Sequence, residues 1–429
     1  MRSPVADGAE READKNPIRP LVSLFLVISF TLTIAVTFGF GFYLFPALTT
    51  DMQHDIAFSY SSAGLLNAAV QGGFLVGSVL SAVVLARVWG QWVIVTATIT
   101  SGVALLLTQY VTNAMGLAIL FFAFGLAAVM SWIPMVGQVS CHVPERHRGK
   151  ALTVISSGTS LGVLTNAMIV PYFVTAGDWR DTWTFAGLCT VFIAAVTSIA
   201  LTLALRSHGR LTGPSGELAQ DRATGSDFHR LACSFNVWLV LALCFLNGFA
   251  PLAFQSFLSP YLRDELHFSV DFAGGIWMTI AVVGMVSGFI VGTASDRIGV
   301  VKTMSGCYAL WATSAMIVVA FPLQPMLIFA AIIFALAFYP IYGLVPAYIR
   351  RRHGAADSDR IFALGNLMLG LGGLVGNAVG GWVRDLSGSF VPVYLLNVGL
   401  CVAAIAVLFI SNRERLGRAF GRADYQRRE

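Results

Sequence analysis

Twelve stretches of this chain are each about 20 residues or longer and nearly free of charge, which leaves few choices of fold. A bilayer core is about 30 Å thick, and a run of that length closes all its backbone hydrogen bonds within itself only as a helix. The runs are 21–48, 61–86, 92–110, 114–140, 151–176, 182–205, 236–262, 271–294, 302–321, 326–349, 361–383 and 391–411. Composition agrees: 56% of residues are hydrophobic and 11% charged, against about 25% charged in soluble domains. A water-soluble enzyme, a disordered chain and a disulfide-stapled secreted domain are thereby excluded. The reading is an all-α membrane protein with twelve transmembrane helices. Residues 1–20 are polar and lead straight into a 28-residue apolar run, which reads as a retained span rather than a cleaved signal.

The six cysteines stand singly, without CxxC pairs, so no metal and no cofactor is expected. No HExxH motif or paired mid-membrane Asp is present to suggest an intramembrane enzyme. The net charge of +5 does not indicate nucleic acid, because its placement follows the membrane. With both termini on one side, 24 of the 27 Lys and Arg residues fall on that side, and only Arg180, Arg263 and Arg384 on the other. Positive charge is retained on the cytoplasmic face, so both termini of this multi-pass protein are expected there.

Residues 206–235 are polar and carry Gly, Pro, Ser and Asp, dividing the spans into halves of six. The expected organisation is a cytoplasmic segment 1–20, an N-terminal bundle 21–205, a linker 206–235, a C-terminal bundle 236–411 and a tail 412–429. The halves also repeat. Phe58-Ser59 and Ala63-Gly64 recur 210 positions later as Phe268-Ser269 and Ala273-Gly274, and Ala151-Leu152 with Gly158 recur 212 positions later as Ala363-Leu364 with Gly370. Two pseudo-symmetric six-helix bundles with a binding site between them near mid-membrane follow from that duplication.

At the end of the eighth span stand Gly292, Asp296, Arg297, Gly299 and Lys302, spaced G-x3-D-R-x-G-x2-K. That loop resembles the signature of the major facilitator superfamily. Its first-half counterpart keeps Arg87 but has Ala86 in place of the acid. Also similar to the family are Arg146 to Ala151 before the fifth span, with Arg148 and Gly149, Gly177 to Arg180 after it, and Gly381 to Gly388 after the eleventh. The resemblance implies a location in the bacterial inner membrane and alternating access, with spans two and five packed against eleven and eight across the bundle interface. Within transport, a proton-coupled or dicarboxylate carrier would keep charged groups inside the bundle, and this parse leaves none there. The Gly-Pro pair of the family's antiporters is incomplete, with Val163 after Gly162.

Glycines at i, i+4 spacing occur on four spans: Gly73/Gly77, Gly158/Gly162, Gly284/Gly288/Gly292 and Gly372/Gly376/Gly380. Small residues at this spacing let helix backbones approach in lipid, and the resemblance assigns them to the interface where the halves slide. The expected gating set is these glycines with Asp296, Arg297, Gly299, Lys302 and Arg148. Prolines 46, 134, 251, 260, 340 and 346 fall on spans one, four, seven and ten, which the resemblance makes the bending, cavity-lining helices; Pro171 alone falls on span five.

The polar residues left inside are neutral. Thr37, Gln71, Asn166, Asn247, Gln255, Trp277, Tyr339, Tyr342 and Asn366 are the candidate solute-binding residues. Donors and acceptors without charge suit a small neutral or monoanionic organic solute, with a co-transported ion as a further candidate partner and a monomer as the expected state. Polyspecific efflux of hydrophobic compounds and a non-transporting membrane sensor are the alternative functions.

Overall fold

A computed structural model describes residues 18–208 and 234–426. The segment before residue 18, most of the linker, and the last three residues lie outside the described residues. Among the described residues, twelve helices are long and apolar enough to cross a membrane. They are α1 (Pro20–Ile56), α2 (Tyr60–Leu85), α3 (Gly90–Thr108), α4 (Ala114–His142), α5 (His147–Ala176), α6 (Trp179–Ser207), α7 (Phe235–Glu265), α8 (Val270–Ile298), α9 (Val300–Ala320), α10 (Gln324–His353), α11 (Arg360–Ser387) and α12 (Val391–Asn412). One end of the molecule carries the α6–α7 connection and is called the linker end; the other is the far end.

Several helices outrun the apolar stretches. α1 continues through Asp51 to Ile56, and α7 through a π-helical last turn, Tyr261–Glu265. Arg263, Asp264 and Glu265 therefore lie on helix, not in a loop. A second π-helical turn, Ala35–Phe40, interrupts α1. Helix starts even before α5, at Glu145, and breaks at Ser157 before resuming at Gly158. Between α10 and α11 the helical backbone is unbroken over 64 residues. Straight, it would be about 96 Å long at 1.5 Å per residue, about three membrane cores, so it serves as two spans.

The duplication is legible in backbone detail. Among the described residues, Ala57 (φ 53°) and His267 (φ 57°) are the two non-glycine residues in the left-handed region, and they stand 210 positions apart. Ser59 and Ser269 follow them, each capping the next helix by accepting from the N–H three residues on. Close backbone contacts repeat at the same interval. Gly162 faces the Ala35 carbonyl and Gly39, and Gly372 faces the Phe245 carbonyl and the Phe249 amide. The register at α5 and α11 is therefore 210, and the 212-residue match of Gly158 with Gly370 is not a structural equivalence: Gly158 packs on Thr31 of α1, Gly370 on Leu75 of α2.

As the resemblance implied, α2 packs on α11 and α5 on α8. The glycines that make those contacts are not the expected ones. Gly64 meets the Asn377 carbonyl and Gly381, and Gly274 meets Pro171 and the Ala167 carbonyl. Gly73 and Gly77 instead seat α2 on α4, Gly158 and Gly162 seat α5 on α1, and Gly372 and Gly376 seat α11 on α7, all within one bundle. A glycine stripe marks close approach without naming the partner helix. Pro171, the proline outside the expected bending set, packs against Gly274 at the bundle interface. One continuous apolar core around Trp311, Phe334 and Phe338 fills the C-terminal half, while the N-terminal half divides its core among three clusters, around Phe121, Phe124 and Trp183 toward the far end, around Phe30, Ile94 and Met135 toward the linker end, and around Val93, Ala127 and Val129.

Candidate solute cavity and far-end closure

Between the bundles a cavity of about 810 Å³ opens at the linker end. Helix α4 contributes Trp132, α5 Thr153, Ser156, Ser157 and Ser160, α7 Asn247, α10 Tyr339 and Tyr342, and α11 Asn366. The glycine stripe of α8 makes the space. A Cβ at Gly288 or Gly292 would meet nothing within 4 Å, whereas at Gly284 it would lie 2.3 Å from the Tyr339 ring. These glycines hollow the cavity and admit a tyrosine; they do not slide on another backbone. Asp296 and Arg351, both exposed, stand at the mouth, and the cavity lining holds no other ionisable acid or base except the buried Cys244 and the two tyrosines.

Asn247 is fully buried. Its Oδ1 accepts from the Tyr308 hydroxyl at 3.4 Å, while its Nδ2 has no partner among protein groups. The Tyr339 hydroxyl, near Ser160, likewise has no acceptor. Away from Arg351 at its mouth, the cavity thus presents donors without cations.

The remaining candidates are elsewhere. Thr37 bonds the Thr33 carbonyl at 2.8 Å and Ser131 at 3.4 Å, and joins helices inside the N-terminal bundle. Asn166 donates to the Gly39 carbonyl and Trp277 to Ser259, both at 2.8 Å, beside a small closed void toward the far end. Gln71 and Gln255 border a second closed void. The serines of α5 were missed by reasoning from side-chain polarity, since serine is common in membrane helices; with Thr153 they stand at i, i+3, i+4 and i+7, one helix face, and that spacing could have found them.

At the linker end, Arg297 is exposed, Gly299 (φ 90°) turns the chain into α9 with Lys302 in its first turn, and Asp296 has no ion-pair partner among the described residues. Arg148 donates to the Val143 carbonyl at 3.2 Å.

The far end is closed by polar bonds between the halves, among them a largely enclosed ion pair whose charges the sequence pattern places at span ends. Arg263 of α7 holds both oxygens of Asp51 of α1, at 2.5 and 2.8 Å, with 13% and 15% of the two side chains exposed. Asp264 accepts from the hydroxyls of Tyr60 at 2.5 Å and Thr50 at 3.1 Å. Asp385 accepts from the Ser61 amide at 2.7 Å, and the Arg384 guanidinium lies 4.0 Å from the Tyr60 ring centroid. Asp51, Arg263 and Asp264 can be largely enclosed because the facing bundle supplies their partners, while Asp385 stays exposed.

A sequence model of the Major Facilitator Superfamily matches residues 30–297 and 245–425, spanning all but the start of α1. The chain belongs to the major facilitator superfamily. A Haemophilus influenzae relative is 25% identical over 274 residues, covering 61% of this chain and 63% of its own length, so this chain spans under two thirds of that relative. A Cupriavidus necator protein described as a probable sulfoacetate transporter is 20% identical over 381 residues, covering 84% of this chain and 87% of its own. A solved bacterial homologue of the human lysosomal transporter Spinster, inward-facing and occupied, superposes with a TM-score of 0.70 at 13% identity, over 93% of this chain and 98% of that one. The superfamily member described here is a multi-pass membrane transporter of small solutes and not an enzyme.

Proposed function

We propose that this superfamily member carries a small organic solute, monoanionic or neutral, by alternating access, and that the linker end faces the cytoplasm. The observation that carries the reading is the cavity open at one end, with the buried Asn247 amide and the Tyr339 hydroxyl unpartnered in it, under a sealed far end. Donors without a fixed cation suit one carboxylate or sulfonate, or a neutral carbonyl, better than a doubly charged anion. The sulfoacetate named for the Cupriavidus relative carries two acidic groups; here the cavity's one basic residue is Arg351, at its mouth. Charge placement supports the orientation, since 24 basic residues crowd the linker side.

A thermal-shift panel of organic monoanions and neutral solutes on the purified protein identifies the solute. Asn247→Ala and Tyr339→Phe are then expected to weaken its binding about tenfold each, the cost of about one hydrogen bond to a charged group, whereas Thr37→Val leaves it unchanged. Normal affinity in both cavity variants overturns the assignment.

Asp296 is proposed as a latch for the opposite state. When the linker end closes, its carboxylate approaches the N-terminal turn leading into α5 near Arg148, gaining dipole attraction and a charge-assisted bond. Ala86 removes the equivalent acid from the first half. Asp296→Asn is expected to raise the linker-end-open population by about 5- to 10-fold. Spin-label distances between the linker ends of α5 and α8 read this directly; an unchanged distribution in a well-expressed variant refutes it.

A further inference from the structure

Toward the far end from the solute cavity, a closed void of about 10 Å³ sits where four helices from both bundles meet. That is room for about one water-sized sphere. Its lining includes Asn67 and Gln71 from α2, Gln255 and Ser256 from α7, and Asn377 from α11, with Phe42 and Pro46 of α1 closing one side. Gln255 is 2% exposed and neither its Oε1 nor its Nε2 has a partner; Asn377 is 1% exposed and its Oδ1 has none.

The direction of the hydrogen bonds decides what such a place can hold. The Asn67 amide donates to the Ala63 carbonyl at 3.2 Å, and the Asn377 amide to the Gly373 carbonyl at 2.8 Å. Each nitrogen thus spends one of its two N–H groups on its own helix, while the Asn377 oxygen is left without a partner. Pro46 has no N–H, so it cannot bond the Phe42 carbonyl one turn earlier, and that oxygen also lacks its helical donor. Gln255, with both ends unpartnered, can turn its oxygen to whatever occupies the void. The lining offers hard, neutral oxygens from four amides, one hydroxyl and a helix carbonyl, and no ionisable side chain except the phenol of Tyr43 lines it.

We propose that this void is a binding site for a single small monovalent cation, probed here as sodium. A divalent ion would want carboxylates that the lining does not contain. The neighbouring void around Asn166, Ser259 and Trp277 makes an internal contrast, because Arg263 lines it and bars a cation. Neutral carbonyl and amide oxygens between helices of a carrier are suited to a coupling ion. Since the ligands come from α1 and α2 of one half and from α7 and α11 of the other, an ion bound there ties the halves together beneath the Asp51–Arg263 closure, and parting the bundles dismantles the site. Binding and release of the ion are thereby coupled to opening of the far end.

The test uses the full-length purified protein in detergent, without solute, so that its failure leaves the solute cavity untouched. Thermal unfolding is followed in sodium chloride and in choline chloride of equal ionic strength. The expected result is a saturable, sodium-dependent rise in Tm that disappears in Gln255→Leu and in Asn377→Leu. Gln255→Glu guards against variants that fail to fold: a carboxylate in the lining is expected to lower the half-saturating sodium concentration at least tenfold. Identical melting in the two salts, meaning that the void holds only water, overturns the proposal. So does a sodium effect that survives in both leucine variants.

Discussion

Asp51→Asn opens the far end of the carrier. The substitution leaves Arg263 with its guanidinium enclosed between the bundles and without a counter-charge. Removing one member of a buried pair costs about 3–5 kcal/mol; with 13% and 15% of the side chains exposed, the lower figure applies. About 3 kcal/mol is a shift of roughly a hundredfold in the balance between closed and open far ends. Spin labels at the far ends of α1 and α7 are expected to move apart, and the solute cavity to become accessible from that side. Exchanging the charges, Asp51→Arg with Arg263→Asp, should restore much of the closure, because the two side chains face each other across one interface. An unchanged distance distribution in the single variant would mean that the pair is not what holds this end shut.

Gly125→Ala is expected to have the largest effect on stability. A Cβ there would lie 1.7 Å from the Val70 carbonyl oxygen and 2.8 Å from the Phe74 nitrogen, and one at Gly73 would lie 1.9 Å from the Phe122 carbonyl oxygen. The obstructing atoms are backbone, so no rotamer change relieves the clash and α2 and α4 must separate along their length. Overpacking costs about 1–3 kcal/mol where side chains can adjust, and more is expected here. A fall of several degrees in Tm, with reduced yield of folded protein, is the outcome to measure. Gly288→Ala supplies the control, since nothing lies within 4 Å of its added methyl; it should melt as the parent does. Equal Tm values for the two variants would contradict the packing described for α2 and α4.

The spans were readable because lipid imposes one solution on a long apolar run, whatever its neighbours. The duplication was readable where the cap chemistry repeats, at Ser59 and Ser269. Partner choice was not. Gly73 and Gly372 announce close contact in the sequence, but only the three-dimensional arrangement assigns them to α4 and α7. Nor could the apolar boundary near residue 262 reveal that α7 continues through Arg263 and Asp264. Those charges tolerate burial only because Asp51, Thr50 and Tyr60 arrive from another part of the chain, about 200 residues away in sequence. The same limit explains the polar candidates. Asn247, Tyr339, Tyr342 and Asn366 reach the cavity, while Thr37 bonds within its own bundle; residue type says that each needs a partner, not whether that partner is a helix or a solute.

The interface between the halves carries two kinds of contact that differ in symmetry. In a chain made of two identical halves, every contact across the two-fold axis occurs twice. The glycine seats obey this rule: Gly64 on Asn377 and Gly381 has its twin in Gly274 on Ala167 and Pro171, each member shifted by 210 residues. The ion pair does not. The positions 210 residues from Asp51 and Arg263 hold Tyr261 and Gln53, which cannot form a second one. The glycine seats therefore form a hinge that both halves share, whereas the ion pair is a bolt on one side only.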